Sequence, residues 1–259
     1  MISSASNPLI KEVRELISSR RRRDEAGLFT AEGKKIFLEA PKSLIRRVVV
    51  SGSFEKENAE ILGSVKYETV SDSLFRRISD TKTPQGIMTI FHKPEYSFSD
   101  LLSAGKNRFF ILLEDLQDPG NVGTIIRTAE GAGVTGIILG KGCADVFQPK
   151  VIRSTMGSVF RVPVLFSEDL KDTAELLHEN GFTVYGSYLQ GAEDYANADY
   201  TADCAVIIGN ESRGMSAELA HKCDRLIRIP MEGQLESLNA GVAASLIMYA
   251  AYNAKRTVL

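Results

Sequence analysis

The chain has few of the residues from which metal sites and disulfide frameworks are built. Its 259 residues include three cysteines, three histidines and no tryptophan. The cysteines, Cys143, Cys204 and Cys223, are odd in number and show no CxxC spacing. This pattern argues against a zinc ribbon and against a disulfide framework. We therefore expect reduced, buried thiols in a cytoplasmic protein, and no metal site.

Long hydrophobic runs and the common nucleotide fingerprints are also missing. The longest apolar stretch, Ala240–Ala251, is broken by Gly241 and Ser245 and is shorter than the roughly 20 residues of a membrane span. A P-loop ending at Gly140-Lys141 would need a glycine at position 135, where the chain has threonine, and no GxGxxG opens a helix after a strand. We expect no membrane contact, and a dinucleotide oxidoreductase is the weakest of the possible functions.

Positive charge is concentrated at the front of the chain. Residues 1–50 contain eleven Lys and Arg against six Asp and Glu, whereas the rest of the chain is acidic on balance. A helix is predicted to follow Asn7 and to end in the run Arg20–Arg23, which is either a solvated helix end or part of a phosphate-contacting surface. Lys11, Arg14, Arg46 and Arg47 favour the second interpretation. The residues that we expect to contact RNA are Arg20, Arg21, Arg22, Arg23, Lys34 and Lys35.

The alternation of apolar and polar residues predicts two α/β domains. We expect a small domain over residues 1–93, a linker over 94–106 that is rich in Ser, Pro and Gly, and a second domain over 107–259. Predicted strands of the first are Leu28–Ala31, Ile45–Val50, Lys66–Thr69 and Gly86–Phe91, and its predicted helices are Lys34–Glu39, Glu55–Leu62 and Ser71–Ile78.

The second domain begins with a continuous apolar strand, Phe109–Leu113, of the kind that is buried on both faces of a parallel sheet. Further segments alternate in βαβ order, which predicts a mostly parallel sheet with right-handed crossovers. They are Thr124–Gly131, Val134–Leu139, Gln148–Met156, Val162–Leu165, Leu170–Asn180, Thr183–Tyr188, Cys204–Ile208 and Leu226–Met231.

Two of these strands lead into polar, glycine-bearing loops. Cys204–Ile208 runs into Gly-Asn-Glu-Ser-Arg-Gly at 209–214, and Leu226–Met231 leads to a Ser-Leu-Asn step at 237–239 that opens a long apolar helix. Ligand sites in open α/β sheets lie beyond the carboxyl ends of the strands. We therefore expect the functional site in these loops.

Three ordered motifs resemble those of the SpoU (TrmH-type) RNA 2′-O-ribose methyltransferases. They are DPGNVGTIIRTAEGAGV (118–134), IIGNESRGMS (207–216) and IPMEGQLESLNAGVAASL (229–246). The front of the chain, through SSASNPLIK (3–11), GLFTAEGKK (27–35) and TPQGIM (83–88), is similar to the ribosomal-protein-like substrate-binding domain often fused to them.

The resemblance implies an α/β fold whose parallel-sheet domain carries a deep trefoil knot, binds S-adenosyl-L-methionine in the knot loops and forms a homodimer. It implies cofactor contacts by Gly209, Ile229, Leu238, Ser187 and Leu189. From the residues alone, a tight turn at Gly209 and core packing of Ile229 and Leu238 would be the default.

The resemblance also implies catalytic roles. Arg127 would activate the ribose hydroxyl, Glu211 would hold Arg127 in place, and the amide of Asn121 would fix both the hydroxyl and Glu211. Ser237 and Asn239 would line the ribose and the methyl group. From the residues alone, Asn121 could be a turn or capping residue and Ser237 a helix cap.

Together these patterns predict methylation of a ribose 2′-hydroxyl in structured RNA. Ribosomal RNA of the 23S type is the first choice, because the accessory domain resembles ribosomal proteins. Transfer RNA is the alternative substrate, and a non-catalytic RNA-binding or ribosome-assembly factor is the alternative class.

Overall fold

The computed structural model describes residues 1–63, 65–190 and 193–257. Its strands are β1 (Leu28–Glu32), β2 (Ile45–Ser51), β3 (Tyr67–Val70), β4 (Ile87–His92), β5 (Phe109–Leu113), β6 (Gly136–Gly140), β7 (Val164–Ser167), β8 (Thr183–Ser187), β9 (Glu193–Asp194), β10 (Cys204–Ile208) and β11 (Arg225–Arg228). Its α-helices are α1 (Pro8–Ser18), α2 (Arg20–Ala26), α3 (Lys34–Glu39), α4 (Gly52–Glu57), α5 (Ala59–Leu62), α6 (Asp72–Ile78), α7 (Phe98–Leu102), α8 (Pro119–Gly131), α9 (Pro149–Thr155), α10 (Leu170–Glu179), α11 (Ala217–Ala220) and α12 (Ala240–Thr257).

The chain divides into two compact units. The first comprises residues 1–95 and 145–160, and the second comprises 96–144 and 161–259. The sequence analysis predicts that residues 145–160 belong to the second domain. In the structure α9 instead packs against β1, and the rings of Phe147 and Phe160 make tilted contacts with that of Phe29, so this segment completes the first unit.

The first unit is built on a four-stranded sheet with the order β1-β4-β2-β3. β4 is antiparallel to both of its neighbours, whereas β2 and β3 are parallel. One buried cluster joins α1 and α6 to the sheet, and a second joins α3, α4 and α5 to it. Helices thus cover the sheet and bury its apolar side chains.

The prediction of one helix ending in the arginine run is wrong. Ser19 has an extended backbone (φ −124°, ψ 115°), and its hydroxyl accepts the amide N–H of Arg22. A serine in this conformation is a favoured N-cap. It ends α1 at Ser18 and starts the separate helix α2, so the arginines begin a helix rather than finish one.

The second unit contains a seven-stranded, all-parallel sheet with the order β7-β6-β5-β10-β8-β11-β9. Every residue of β5, β6 and β10 is buried, as expected for strands covered on both faces. The predicted α/β class with a parallel sheet is confirmed. The carboxyl ends of β10, β8 and β11 lie side by side, so the loops that follow these strands meet at one edge.

Helices α8 and α12 pack against each other in the second unit. Thr128 and Ser245 share a hydrogen bond of 3.1 Å, and a side chain at Gly241 would press on Thr124 at 3.4 Å. Small residues permit this close approach. At its far end α12 is tied to the start of β5, because the ammonium of Lys255 donates to the backbone carbonyl of Arg108 at 3.2 Å.

The three cysteines are free. Burial raises the pKa of Cys143 to about 11 and the pKa values of Cys204 and Cys223 to about 12, so all three are thiols near neutral pH. Cys223 is only partly buried.

None of the helices in the described ranges combines the length and hydropathy that crossing a bilayer requires.

Candidate active site

A pocket of about 250 Å³ lies at the carboxyl edge of the parallel sheet. The loops that follow β8, β10 and β11 surround it, together with the first turn of α12. All five residues predicted to hold the cofactor line this pocket: Ser187, Leu189, Gly209, Ile229 and Leu238. Apolar walls thus face a loop rich in polar groups, which is typical of small-molecule sites.

The loop after β10 closes on itself. Backbone hydrogen bonds of 3.0 and 2.9 Å run in both directions between Asn210 and Gly214, and Gly214 has a φ of +69°. A Cβ atom at Gly209 would lie 2.2 Å from the amide nitrogen of Met215. Only glycine fits there, so Gly209 serves the shape of the loop as well as the pocket wall.

Asn210 and Asp115 fix this loop to the end of β5, and sequence reasoning did not single them out. The side-chain amide of Asn210 donates to the carbonyl of Asp115 at 2.8 Å, and its oxygen accepts the amides of Ser212 and Arg213. Asp115 has a φ of +50° and an ion pair with Arg213 at 3.2 Å. A Gly-Asn pair after a buried strand is the available signal, since the asparagine side chain can imitate a backbone turn.

Glu211 binds the start of α8. Its carboxylate accepts the backbone amides of Asp118 at 2.9 Å and Gln117 at 3.2 Å, and the side-chain amide of Asn121 at 3.1 Å. Partial burial by itself would raise the pKa of Glu211, but these hydrogen bonds lower it below its usual range. Glu211 is therefore an ionised acceptor near neutral pH.

Asn121 joins the second and third motifs. It lies in the first turn of α8, which begins at Pro119 and not at Thr124 as predicted, because the side chain of Asp118 caps the helix by accepting the amide of Asn121. The Asn121 side chain donates to Glu211 and accepts from the amide of Asn239 at 2.8 Å. A chain of hydrogen bonds, Glu211–Asn121–Asn239, thus connects residues from all three motifs.

Asn239, and not Ser237, caps α12. Its side-chain oxygen accepts the amides of Gly241 at 3.0 Å and Val242 at 3.2 Å. Ser237 is exposed, lines the pocket and has no hydrogen bond within the described ranges. Its hydroxyl can therefore bind a ligand without breaking an internal contact.

Arg127 lies apart from this chain of hydrogen bonds. It is exposed on α8 and has no hydrogen bond or ion pair in the part of the chain that the structure describes. The predicted contact by which Glu211 would hold Arg127 is not formed, since the hydrogen bonds of Glu211 go to residues 117, 118, 121 and 210. Thr124, Thr128 and Gly131 face α12, and Arg127 lies at the border of that side of α8.

The cations predicted to contact RNA differ in their environments. Arg23 is 4% exposed, with an ion pair to Asp145 at 2.7 Å and hydrogen bonds to the carbonyls of Leu16 and Ile17. Its selection as an RNA contact is wrong, because the side chain is buried and fully bonded. The other five are exposed and partnered: Arg20 with Asp24, Arg21 with Glu25, Arg22 with Glu15 and Glu25, Lys34 with Asn58, and Lys35 with Glu39.

Clusters of three or more His, Cys, Asp or Glu side chains that could hold a metal ion do not occur among the described residues. The polar groups that line the pocket include an amide, a carboxylate, hydroxyls and a guanidinium, from Asn210, Glu211, Ser212, Ser237 and Arg213 among others.

Comparison with known proteins places this geometry in context. Residues 108–249 match the model of the SpoU rRNA methylase family, and residues 7–89 match that of an MRM3-like substrate-binding domain. A Bacillus subtilis 23S rRNA guanosine 2′-O-methyltransferase is 34% identical over 96% of this chain and 97% of its own length. A TrmH family tRNA/rRNA methyltransferase of Staphylococcus aureus, named as putative, is 33% identical over 83% of this chain and 90% of its own.

Two solved structures superpose on this chain over nearly its whole length. An rRNA methyltransferase of Sinorhizobium meliloti with bound S-adenosyl-L-methionine superposes with a TM-score of 0.85, at 31% identity, and covers 100% of this chain and 98% of its own. The methyltransferase AviRb of Streptomyces viridochromogenes in complex with the same cofactor has a TM-score of 0.86 at 28% identity, covering 97% and 99%.

Proposed function

The chain belongs to the SpoU rRNA methylase family, and from this premise we propose that it methylates a ribose 2′-hydroxyl of 23S-type ribosomal RNA. The predicted family, enzyme class and cofactor, S-adenosyl-L-methionine, are confirmed. The chain of hydrogen bonds Glu211–Asn121–Asn239 at the sheet edge carries the proposal, because it gathers the three motifs beside one pocket. Similarity to a 23S rRNA enzyme over nearly the full length favours ribosomal over transfer RNA.

The pocket suits S-adenosyl-L-methionine. Ile229 and Leu238 supply apolar walls for a flat base, and the backbone at Gly209 can be approached closely. Ser187 and Leu189 extend the wall along the end of β8. We assign these five residues to cofactor binding. Bound there, the cofactor supplies an electrophilic methyl group on a positively charged sulfur.

The residues of this chain have to position and activate the nucleophile. With the cofactor bound, the ribose 2′-oxygen would form a bond to the methyl carbon as the carbon–sulfur bond breaks, the thioether S-adenosyl-L-homocysteine would leave, and the hydroxyl proton would pass to water. The free hydroxyl of Ser237 can bind the ribose, while the Asn121–Asn239 pair holds the first turns of α8 and α12 in register. Holding the reacting groups in line is a large part of what such a site contributes.

Arg127 acts by charge rather than as a base. A guanidinium remains protonated in proteins, but it can bind an RNA phosphate with two hydrogen bonds and stabilise the developing negative charge on the 2′-oxygen. Arg127 is exposed and has no internal partner in the described ranges, so it is available for this contact.

The enzyme forms a homodimer through α12. Val242, Leu246 and Tyr249 follow each other at four- and three-residue spacing and are 47%, 38% and 45% exposed. Such a stripe of large apolar side chains on one helix face is expected to be covered. We assign this cover to a second copy of this chain, since the stripe belongs to the methyltransferase unit and α12 packs on α8, the helix that carries Arg127.

The proposal extends to the domain bounds, the knotted fold and the cellular location of the protein. We propose residues 1–93 as the RNA-binding part, 94–106 as the linker and 107–259 as the methyltransferase part, except that the segment 145–160 belongs to the first compact unit. The family fold carries a trefoil knot, and we expect the same knot in this chain because it belongs to the family. A cytoplasmic location is supported by the RNA substrate and the three free thiols.

The direct test is methyl transfer from labelled S-adenosyl-L-methionine into RNA that lacks this modification, with fractionated 23S, 16S and transfer RNA as acceptors. Label in one alkali-resistant linkage of 23S RNA, lost in Arg127→Ala and retained in Lys141→Ala, is the expected result. Lys141 is an exposed cation of the second unit and controls for lost charge. Label in transfer RNA would change the substrate, and RNA binding without transfer to any fraction would contradict the enzyme assignment.

A further inference from the structure

A groove of about 490 Å³ in the first unit lies between α1 and α6. Three cations line it: Lys11 and Arg14 from α1, and Arg77 from α6. All three side chains are exposed. None of the catalytic or cofactor-binding residues belongs to this unit, so the groove has no part in the site described above.

The charges of these three cations are not neutralised by any side chain that the structure describes. Over residues 1–63, 65–190 and 193–257, none of the three side chains forms an ion pair or a side-chain hydrogen bond. The arginines of α2 differ, because Arg21 and Arg22 bind Glu25 at 2.6 and 3.2 Å. The three groove cations therefore keep their positive charge available for a ligand. In the arginine run, on which the sequence prediction relied, neighbouring carboxylates already pair with the charges.

Two carboxylates also line the groove, but each has a cation of its own. Glu15 is paired with Arg22 at 3.0 Å, and Asp80 is paired with Arg153 at 2.8 Å. Neither acid bonds to one of the three groove cations. The local balance inside the groove is thus positive, although the chain as a whole has a net charge of −2.

The groove is also held in a fixed shape. Helix α1 is capped by Asn7, and Ile10 and Val13 are fully buried beneath it. Lys11 and Arg14 are three residues apart, so they lie on one face of α1 with a rise of about 4.5 Å between them. A row of cations on a rigid, open surface matches a chain of regularly spaced phosphates better than a single small anion.

We infer that this groove, and not the arginine run of α2, holds the sugar-phosphate backbone of the RNA substrate. The inference rests on the proposed function for the identity of the polyanion. Lys11, Arg14 and Arg77 supply affinity by contacting phosphates, and they leave the choice of nucleotide to other contacts.

The test compares three triple variants of the full chain. The groove variant replaces Lys11, Arg14 and Arg77 by Ala, and the run variant replaces Arg20, Arg21 and Arg22 by Ala. A control variant replaces Lys42, Lys56 and Lys66, which are exposed cations of the same unit outside the groove. Binding of transcribed 23S RNA and of a labelled single-stranded 12-nucleotide RNA is measured between 50 and 300 mM salt, and thermal melting checks the fold.

The groove variant should bind RNA about tenfold or more weakly at moderate salt, with the salt slope reduced by about two, since each phosphate contact contributes about 0.7 to 0.9. The control and run variants should lose about twofold or less. An equal or larger loss in the run variant would overturn the inference. So would competition by poly-glutamate as effective as RNA at equal charge, which would indicate an acidic protein partner instead.

Binding is measured without methyl transfer, so the two proposals fail separately. Absence of methylation with groove-dependent RNA binding would contradict the enzyme assignment alone. If methylation occurs, the groove variant should show a raised KM for RNA with kcat within about twofold of the unmodified protein, because the groove binds substrate without touching the reacting atoms.

Discussion

The side-chain amide of Asn239 donates to the side-chain oxygen of Asn121 at 2.8 Å, across 118 residues of sequence. Asn121 in turn donates to Glu211. Both ends of the Asn121 side-chain amide are therefore engaged: the NH2 group donates toward the second motif, and the oxygen accepts from the third. The start of α8, the loop after β10 and the start of α12 are held together by this one side chain.

Asn121→Asp should lower kcat by about a hundredfold, the cost expected when reacting groups are displaced by about 1 Å. The new carboxylate cannot donate to Glu211 and would lie about 3 Å from it, so the two acids repel each other. The affinity for S-adenosyl-L-methionine should change much less, because Asn121 does not line the pocket. Steady-state kinetics and calorimetric titration of the cofactor separate the two effects.

Asn180→Ala is a matched control for that variant. Asn180 also bonds through its side-chain amide, to the carbonyl of Leu176 at 2.8 Å, but on the exposed end of α10. Its kcat should equal that of the unmodified protein. A normal kcat in Asn121→Asp would remove Asn121 from the catalytic arrangement.

Much of this fold follows from sequence pattern alone. The apolar runs at Phe109–Leu113 and Cys204–Ile208 predict strands at the bounds the structure gives, because a parallel strand buried on both faces has no polar position. Boundaries set by a single side chain were missed. From periodicity alone, α1 could continue through Ser19, and Pro119 could lie in a turn before α8. The observed boundaries depend on capping hydrogen bonds, which the spacing of apolar residues does not reveal.

The candidate site was predicted as a set of residues but not as a set of contacts. Motif resemblance brought Asn121, Glu211 and Asn239 together. The resemblance also suggested a contact between Glu211 and Arg127. This contact is not formed among the described residues, because the Glu211 carboxylate already accepts hydrogen bonds from two backbone amides and from Asn121. The burial of Arg23 could not be foreseen, because its partner Asp145 is distant in sequence and charge runs are usually solvated.

Acid should loosen the active-site loop through Glu211. Its pKa is lowered by the hydrogen bonds it accepts in the folded protein, so the stabilisation is fully present above its ordinary pKa, about 4.3, and is lost as pH falls through the lowered folded value. The difference in urea midpoint between the unmodified protein and Glu211→Gln should therefore be largest at pH 6 to 7 and shrink below about pH 4. The exposed Glu218→Gln variant should show no such trend, and a constant difference for Glu211→Gln would contradict the assignment.

Arg23→Ala should destabilise the first unit by about 3 to 5 kcal/mol, because it leaves Asp145 buried without its counter-charge. Arg21→Ala removes an equally close but exposed ion pair and should cost less than about 1 kcal/mol. Urea unfolding of both variants measures the contrast. The double variant Arg23→Met, Asp145→Leu should recover most of the loss, and similar costs for the two arginines would show that burial does not set the strength of this pair.

Leu246→Glu should convert the proposed dimer into monomers, because it places a charge in the middle of the exposed apolar stripe of α12. Leu176 on α10 offers a close match, since it is 39% exposed against 38% for Leu246. Leu176→Glu should leave the sedimentation coefficient unchanged, and both variants should remain folded by circular dichroism. Because Arg127 lies at the border of the side of α8 that faces α12, loss of the dimer should also reduce methyl transfer at unchanged cofactor affinity. If Leu246→Glu sediments like the unmodified protein, the interface lies elsewhere. If the variant is a monomer with full activity, Arg127 works without a second subunit.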